Sequence, residues 1–231
     1  MSRGRRRKVR RPSSQQVPHL LFRRLFNRAP PFLLAVFMAG CGTMQPTTVS
    51  APLPPPDPVS AWGERYNQLR GVHRWTAFGR LSLRVDKESW NMSMQWQQVE
   101  EAFQIRLSSS FGQGVVQLNG DTGWVNLRSS KGETHSATDA ETLLREQLGW
   151  ELPVSGLQHW MLGRPAPDAG PYEFDIDKEG RIAWLKQGGW DARYMDYRFV
   201  GNLELPAKVF FSANGVSARV LVSRWELPDD D

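Results

Sequence analysis

Between positions 89 and 98, Trp90, Met92, Met94 and Trp96 alternate with Asn91, Ser93, Gln95 and Gln97. Successive side chains of a strand point to opposite faces, so this period of two puts every large apolar group on one side and every amide or hydroxyl on the other. A chain with such a segment has to build a sheet that is greasy on one face only. Neighbouring segments repeat the pattern, with Gly79, Leu81, Leu83 and Val85 in one and Phe103, Ile105 and Leu107 in another. The gaps between them are short, which requires hairpins and an antiparallel sheet. Tyr172, Phe174 and Ile176 alternate with acidic residues further on, and 180–187, 189–199, 206–213 and 216–225 read as additional strands. The whole makes about eleven strands, and a one-sided sheet of that width must curl and be covered. The expected fold is mainly β with helices: an open, incomplete antiparallel barrel whose apolar concave face lies under helices. Three helices suit that role. Residues 60–71 place Trp62, Tyr66 and Leu69 on one face, and Thr138 with Glu141 forms a capping-box pattern ahead of Leu143, Leu144 and Leu148, with Gly149 as the stop. Pro153 opens a short helix carrying Leu157, Trp160 and Met161, which Gly163 and Pro165 end.

The overall charge of +5 misleads unless the first 40 residues are set apart. They hold ten Arg or Lys and no acid, which leaves 19 basic and 24 acidic groups in 41–231, a net −5. The basicity belongs to the leader, and a nucleic-acid partner does not follow from it. The leader has the parts of an export signal: a basic region, the apolar run Phe32–Met38, small Ala39 and Gly40, then Cys41. The run is far shorter than the ~20 residues of a membrane span and fits the apolar region of a signal peptide. Met38-Ala39-Gly40-Cys41 is similar to the bacterial lipobox, with Met38 where Leu is common. The domain reading is a lipoprotein signal peptide over 1–40, a lipidated Cys41 with a tether to 58, and one folded domain over 59–231. The chain's single cysteine then carries a diacylglycerol and an N-acyl group instead of exposing a free thiol. Pro52, Pro54, Pro55, Pro56 and Pro58 make the tether an extended spacer.

Catalytic chemistry is thinly represented. The sequence contains no His-Glu-x-x-His, no cysteine pair, no Walker loop and no Gly-x-Ser-x-Gly elbow. His73, His135 and His159 are far apart, without metal-ligand spacing, and His159 reads as a surface group on its helix. Ser108-Ser109-Ser110 reads as a turn with no evident base. The expectation is a protein without enzymatic activity, metal or dissociable cofactor.

Aromatic residues carry a stronger signal. All 10 tryptophans follow the leader. They could be plain core, or with methionine they could line a pocket for acyl chains, because both side chains offer wide, adaptable apolar surface. The cavity-lining candidates are Trp90, Met92, Met94, Trp96, Phe103, Ile105, Leu107, Trp160, Trp190 and Trp225. In Ser108–Gly114 a bulky Phe111 precedes Gly112 in a small, polar link between strands. Such a side chain either folds back onto the core or points outward to meet a bilayer or a partner.

Several segments, in this order and spacing, resemble the LolB family of outer-membrane lipoprotein receptors: Ser93-Met94-Gln95-Trp96-Gln97-Gln98, Leu107 to Gly114, Thr138-Asp139-Ala140-Glu141, and Leu157-Gln158-His159-Trp160-Met161-Leu162-Gly163. The resemblance runs from the lipobox to about Leu227. It implies an open barrel lidded by helices with an apolar cavity. It also implies a function: accepting triacylated lipoproteins from the periplasmic carrier LolA and inserting them into the outer membrane without nucleotide hydrolysis. Trp96, Trp160, Trp190 and Trp225 fall where the family tends to have tryptophan. Phe111 falls at the tip of the family's protruding loop, where Leu is common, so Phe111 and Gly112 are the implied membrane-insertion loop. The implied location is the periplasmic face of the outer membrane, as a monomer anchored through Cys41. The competing readings are a structural or assembly-accessory lipoprotein with a solid core, and a lipid-directed hydrolase, which needs a nucleophile–base pair that the sequence does not offer.

Overall fold

The computed structural model of the protein describes residues 57–109 and 114–228. They belong to one compact unit, Pro52–Asp231, which contains every strand, helix and core side chain described below. Cys41, the leader, most of the tether, Phe111 and Gly112 lie outside the described residues.

Helix α1 (Pro58–Arg70) comes first. Asp57 caps it, accepting from the Ser60 amide at 3.1 Å and the Ser60 hydroxyl at 3.0 Å, and Pro58 occupies the first turn, where its missing N–H costs nothing. The helix starts two residues before the 60–71 expected from the sequence because that cap precedes the apolar pattern. Eleven strands then form a single sheet in the order β6-β5-β4-β3-β2-β1-β11-β10-β9-β8-β7, antiparallel throughout. In chain order they are β1 (Arg74–Val85), β2 (Glu88–Val99), β3 (Ala102–Ser109), β4 (Val115–Asp121), β5 (Trp124–Arg128) and β6 (Thr134–Ala137). After α2 (Ala140–Leu148) and α3 (Val154–Trp160) come β7 (Tyr172–Ile176), β8 (Ile182–Gln187), β9 (Trp190–Val200), β10 (Leu203–Ala213) and β11 (Val216–Glu226). The expected mainly β, open antiparallel sheet of about eleven strands with covering helices is what the chain forms. Ser108 and Ser109 belong to β3 and not to a turn.

The first and last strands pair at the centre of the sheet, β1 against β11. Their register slips between Phe78 and Gly79, where Ser223 is the extra residue on β11. Up to that point Val216, Ala218, Val220 and Val222 face inward; beyond it the inward position passes to Trp225. One bulge thus lets β11 bend without losing its inner face. Gly79 is required there, since a β-carbon would stand 2.0 Å from the Leu221 carbonyl oxygen.

The two edge strands, β6 and β7, are joined by the segment that carries α2 and α3, so the helical layer bridges the two edges of the curled sheet. Asp139 caps α2, accepting from the Thr142 amide at 2.7 Å, and Gly149 ends it in the left-handed conformation with φ 69°. The capping box expected from Thr138 and Glu141 does not form. Glu141 reaches forward instead and accepts from the Ser155 amide at 2.9 Å and the Ser155 hydroxyl at 2.7 Å, clamping α2 to the start of α3. On the far side, Arg65 of α1 donates to the Glu204 carboxylate at 2.6 Å, and Trp62 packs on Phe174 with ring centroids 5.2 Å apart.

Candidate functional site

The concave face of the sheet and the helical layer do not close into a solid core. An apolar cavity of about 60 Å³ lies between them. Its floor comes from strands: Leu81, Met94, Trp96, Ile105, Leu107, Val116, Leu118, Phe211, Ala218 and Val220. Its roof is Leu144, Trp150, Leu152, Val154, Leu157 and Met161, all within one stretch of 18 residues. Every lining side chain is hydrocarbon, thioether or indole. Water gains nothing in such a space, whereas an alkyl chain keeps its dispersion contacts. A pocket for a ligand of ordinary size has roughly 300–1,000 Å³, so the space found here is well below that size.

Two glutamines, the only fully buried polar side chains among the described residues, govern how the roof is held. Gln187 of β8 accepts from the Trp160 indole at 2.9 Å and from the Ala166 amide at 2.8 Å, and donates to the carbonyls of Ala166 at 2.7 Å and Gly170 at 2.9 Å. Tyr194 adds a bond to the Trp160 carbonyl at 2.8 Å. The C-terminal end of α3 and the chain beyond it are therefore bolted to the sheet. Gln98 of β2 accepts from the Trp96 indole at 3.0 Å and donates to the Gln158 side chain at 2.9 Å, a lighter hold on the other flank of α3. The bonds to both indoles satisfy N–H groups that would otherwise be stranded in apolar surroundings. Trp150 has no such partner, and its indole nitrogen is buried without a hydrogen bond.

The residues singled out in the sequence fall in several places. Met94, Trp96, Ile105 and Leu107 line the cavity together. Met92 is buried on the same face of β2, and half-buried Trp90 packs against Trp150 at 5.4 Å. Phe103 lies at the other end of β3, near Gly120. Trp160 is buried behind the roof, 6.4 Å from Phe211, and Trp190 is half-buried at the start of β9. Trp225 belongs to a tryptophan cluster at the α1 end, 5.3 Å from Trp75, and donates to the Pro206 carbonyl at 2.9 Å. The roof residues Leu144, Trp150, Leu152 and Val154 were not foreseen. Their apolar spacing looks like ordinary helix core until the void beneath them is seen. His159 is not the surface group expected. It is half-buried, its Nδ1 has no partner, and desolvation with the nearby Arg164 charge pulls its pKa down to about 4. Among the described residues no group of His, Cys, Asp and Glu could hold a metal.

The family model described as "Outer membrane lipoprotein LolB" matches residues 73–225, which spans β1 almost to the end of β11. The chain belongs to the LolB family. Among relatives in that family, the outer-membrane lipoprotein LolB of Nitrosococcus oceani is 38% identical over 192 residues, covering 83% of this chain and 93% of the relative. That of Halorhodospira halophila is 34% identical over 199 residues, covering 86% of this chain and 94% of the relative. The LolB match takes in the floor and the roof of the cavity. Membership makes the chain an outer-membrane lipoprotein. No helix among the described residues is long and apolar enough to cross a membrane.

Proposed function

We propose that the chain receives acylated lipoproteins from the periplasmic carrier LolA into the cavity between sheet and roof, and inserts them into the outer membrane. The carrying observation is the cavity itself, a wholly apolar space under a helical cover in a protein of the LolB family. Each CH₂ taken out of water gains about 0.8 kcal/mol, so three long chains left in water would cost tens of kcal/mol. The chains must therefore be covered at every stage. No nucleotide-binding loop is present in the sequence, and none is needed. A cavity that binds acyl chains better than the carrier, and worse than a bilayer, passes cargo one way, with about 1.4 kcal/mol giving each tenfold bias. Diacylglycerol and an N-acyl group on Cys41 hold the receptor at the periplasmic face, and Phe111 beside Gly112 enters the bilayer at release. No catalytic step is involved.

Ala218 lies on the cavity floor, and Ala218→Trp fills the space it borders. The expected outcome is that the purified unit 52–231 binds a fluorescent fatty-acid analogue and that the variant, once its folding is checked by near-UV circular dichroism, binds at least tenfold more weakly. Equal binding by both would mean that acyl chains do not occupy this cavity.

A further inference from the structure

The convex side of the sheet, opposite the cavity, carries an ordered set of side chains. The strand registers set Trp184 beside Arg193, Arg193 beside Phe210, and Phe210 beside Arg219, so aromatic and guanidinium groups alternate across β8 to β11. The Arg219 guanidinium is 5.9 Å from the Phe210 ring centroid, the Lys208 ammonium is 5.8 Å from the same ring, and Lys186 is 5.8 Å from Trp184. Arg224 lies 3.9 Å over Phe78 on the neighbouring strand, with its guanidinium donating to the Glu226 carboxylate. A groove of about 580 Å³ runs between Trp184, Met195 and Phe210, with Met195 61% exposed.

Solubility does not account for this pattern. The outward side chains of β2 on the same convex side are Ser89, Asn91, Ser93, Gln95 and Gln97, all uncharged. On the outward side of β8–β11 and β1 lysine and arginine outnumber the acids Asp191, which pairs with Lys186 at 3.9 Å, Asp196, which stands opposite Lys208, and Glu226, in a polypeptide whose residues 41–231 are net −5. Arg80, Arg193, Lys208 and Arg219 form no ion pair among the described residues. An arginine stacked on an aromatic ring keeps its N–H edge open for an acceptor, and its planar fork suits phosphate oxygens. Aromatic rings favour the headgroup level of a bilayer, and clustered cations are drawn to anionic lipid.

We propose that this convex face lies against a bilayer bearing anionic phospholipid headgroups. The inference rests on the reading of the chain as membrane-tethered, and not on what the cavity holds. A proline-rich tether from Cys41 to Asp57 spans up to about 50 Å at ~3.1 Å per residue, enough for the domain to turn its back to the surface that anchors it. The roof and the cavity then face the periplasm.

The test uses unit 52–231, free of the basic leader and the lipid anchor, in sedimentation with vesicles of phosphatidylethanolamine and phosphatidylglycerol or of phosphatidylcholine alone. The expected result is that the unit binds the anionic vesicles, binds phosphatidylcholine at least tenfold more weakly, and is released by raised salt. Arg193→Gln with Arg219→Gln weakens anionic binding on the order of tenfold, while the charge-matched pair Arg70→Gln with Arg145→Gln, exposed on helices α1 and α2 and off the convex face, changes it less than twofold. Both double variants alter exposed side chains, and unchanged melting temperatures verify folding. Indifference to lipid charge, equal effects of the two pairs, or tighter capture by polyglutamate than by vesicles would each overturn the proposal, the last by assigning the face to an acidic protein. None of these outcomes bears on fatty-acid binding in the cavity, so the two readings fail separately.

Discussion

Replacing Gln187 with leucine removes the bolt at the end of α3 while keeping side-chain volume nearly constant. Gln187 serves four groups: the Trp160 indole N–H, the Ala166 amide and carbonyl, and the Gly170 carbonyl. Gly170 is exposed and its carbonyl regains water, but Trp160 and Ala166 are buried, so three polar groups are stranded. At about 1–3 kcal/mol for each of the three stranded groups, less about 1–2 kcal/mol returned by burying a leucine, the net loss centres on about 4–5 kcal/mol. That is a large share of a total stability of about 5–15 kcal/mol. With a urea slope of about 2 kcal/mol/M, the unfolding midpoint of unit 52–231 falls by about 2 M. The indole provides an internal check. In the Gln187→Leu background, Trp160→Phe deletes a donor that is already orphaned, so it costs about 1–2 kcal/mol less than in the wild type. A loss below about 1 kcal/mol for Gln187→Leu, or equal costs of Trp160→Phe in the two backgrounds, would refute the reasoning.

His159 is held neutral in the fold with its pKa near 4, against an ordinary value of 6.5, so the unfolded chain binds the extra proton between those limits. Its contribution is complete above pH 6.5 and lost as pH falls toward 4; urea midpoints at pH 7.5 and 5.5 drop less in His159→Gln than in the wild type. Asp139→Ala removes the cap of α2 and costs about 1 kcal/mol at neutral pH. Because the cap's amide bond holds the Asp139 carboxyl below its ordinary range, its contribution is present above the unfolded pKa and disappears on acidification through the folded one. The variant's penalty should therefore vanish at low pH, and a pH-independent penalty would argue against the cap. Phe111→Glu leaves the urea midpoint and fatty-acid binding unchanged but blocks cargo release into vesicles in a reconstituted transfer assay; normal release would remove Phe111 from the mechanism.

Strand β2 was legible because its outer face meets solvent: when polar and apolar residues alternate without exception, both the strand and its inward side follow. Strands β4 to β6 gave no comparable signal. They are short, and Gly120 in β4 and His135 in β6 stand at inward positions where the pattern calls for a large apolar residue. The α2 cap was misplaced because Thr138 and Asp139 are adjacent and both able to cap, and nothing local reveals that Glu141 is engaged by Ser155, 14 residues away. The glutamine clasps left a usable trace. Gln98 continues the inward series of Trp90 to Trp96, and Gln187 is in phase with inward Leu185, so each is a polar residue where the pattern demands an apolar one. That mismatch marks a buried amide with a full set of partners. The split between cavity floor and solid core among Trp96, Trp160 and Trp225 was not legible, since all three are buried and only three-dimensional packing separates a tryptophan beside a void from one beside another ring.

The bridge between the free edges of the sheet gives the protein the mechanics of a bracelet with a clasp. A strip of eleven strands joined edge to edge by a single link cannot enlarge its bore without straining that link, and the link is the roof of the cavity. Capacity and curvature are thus one variable. If the cavity takes acyl tails as proposed, cargo that forced the bore open would tension the clasp, and that tension would draw the band shut once the tails had gone.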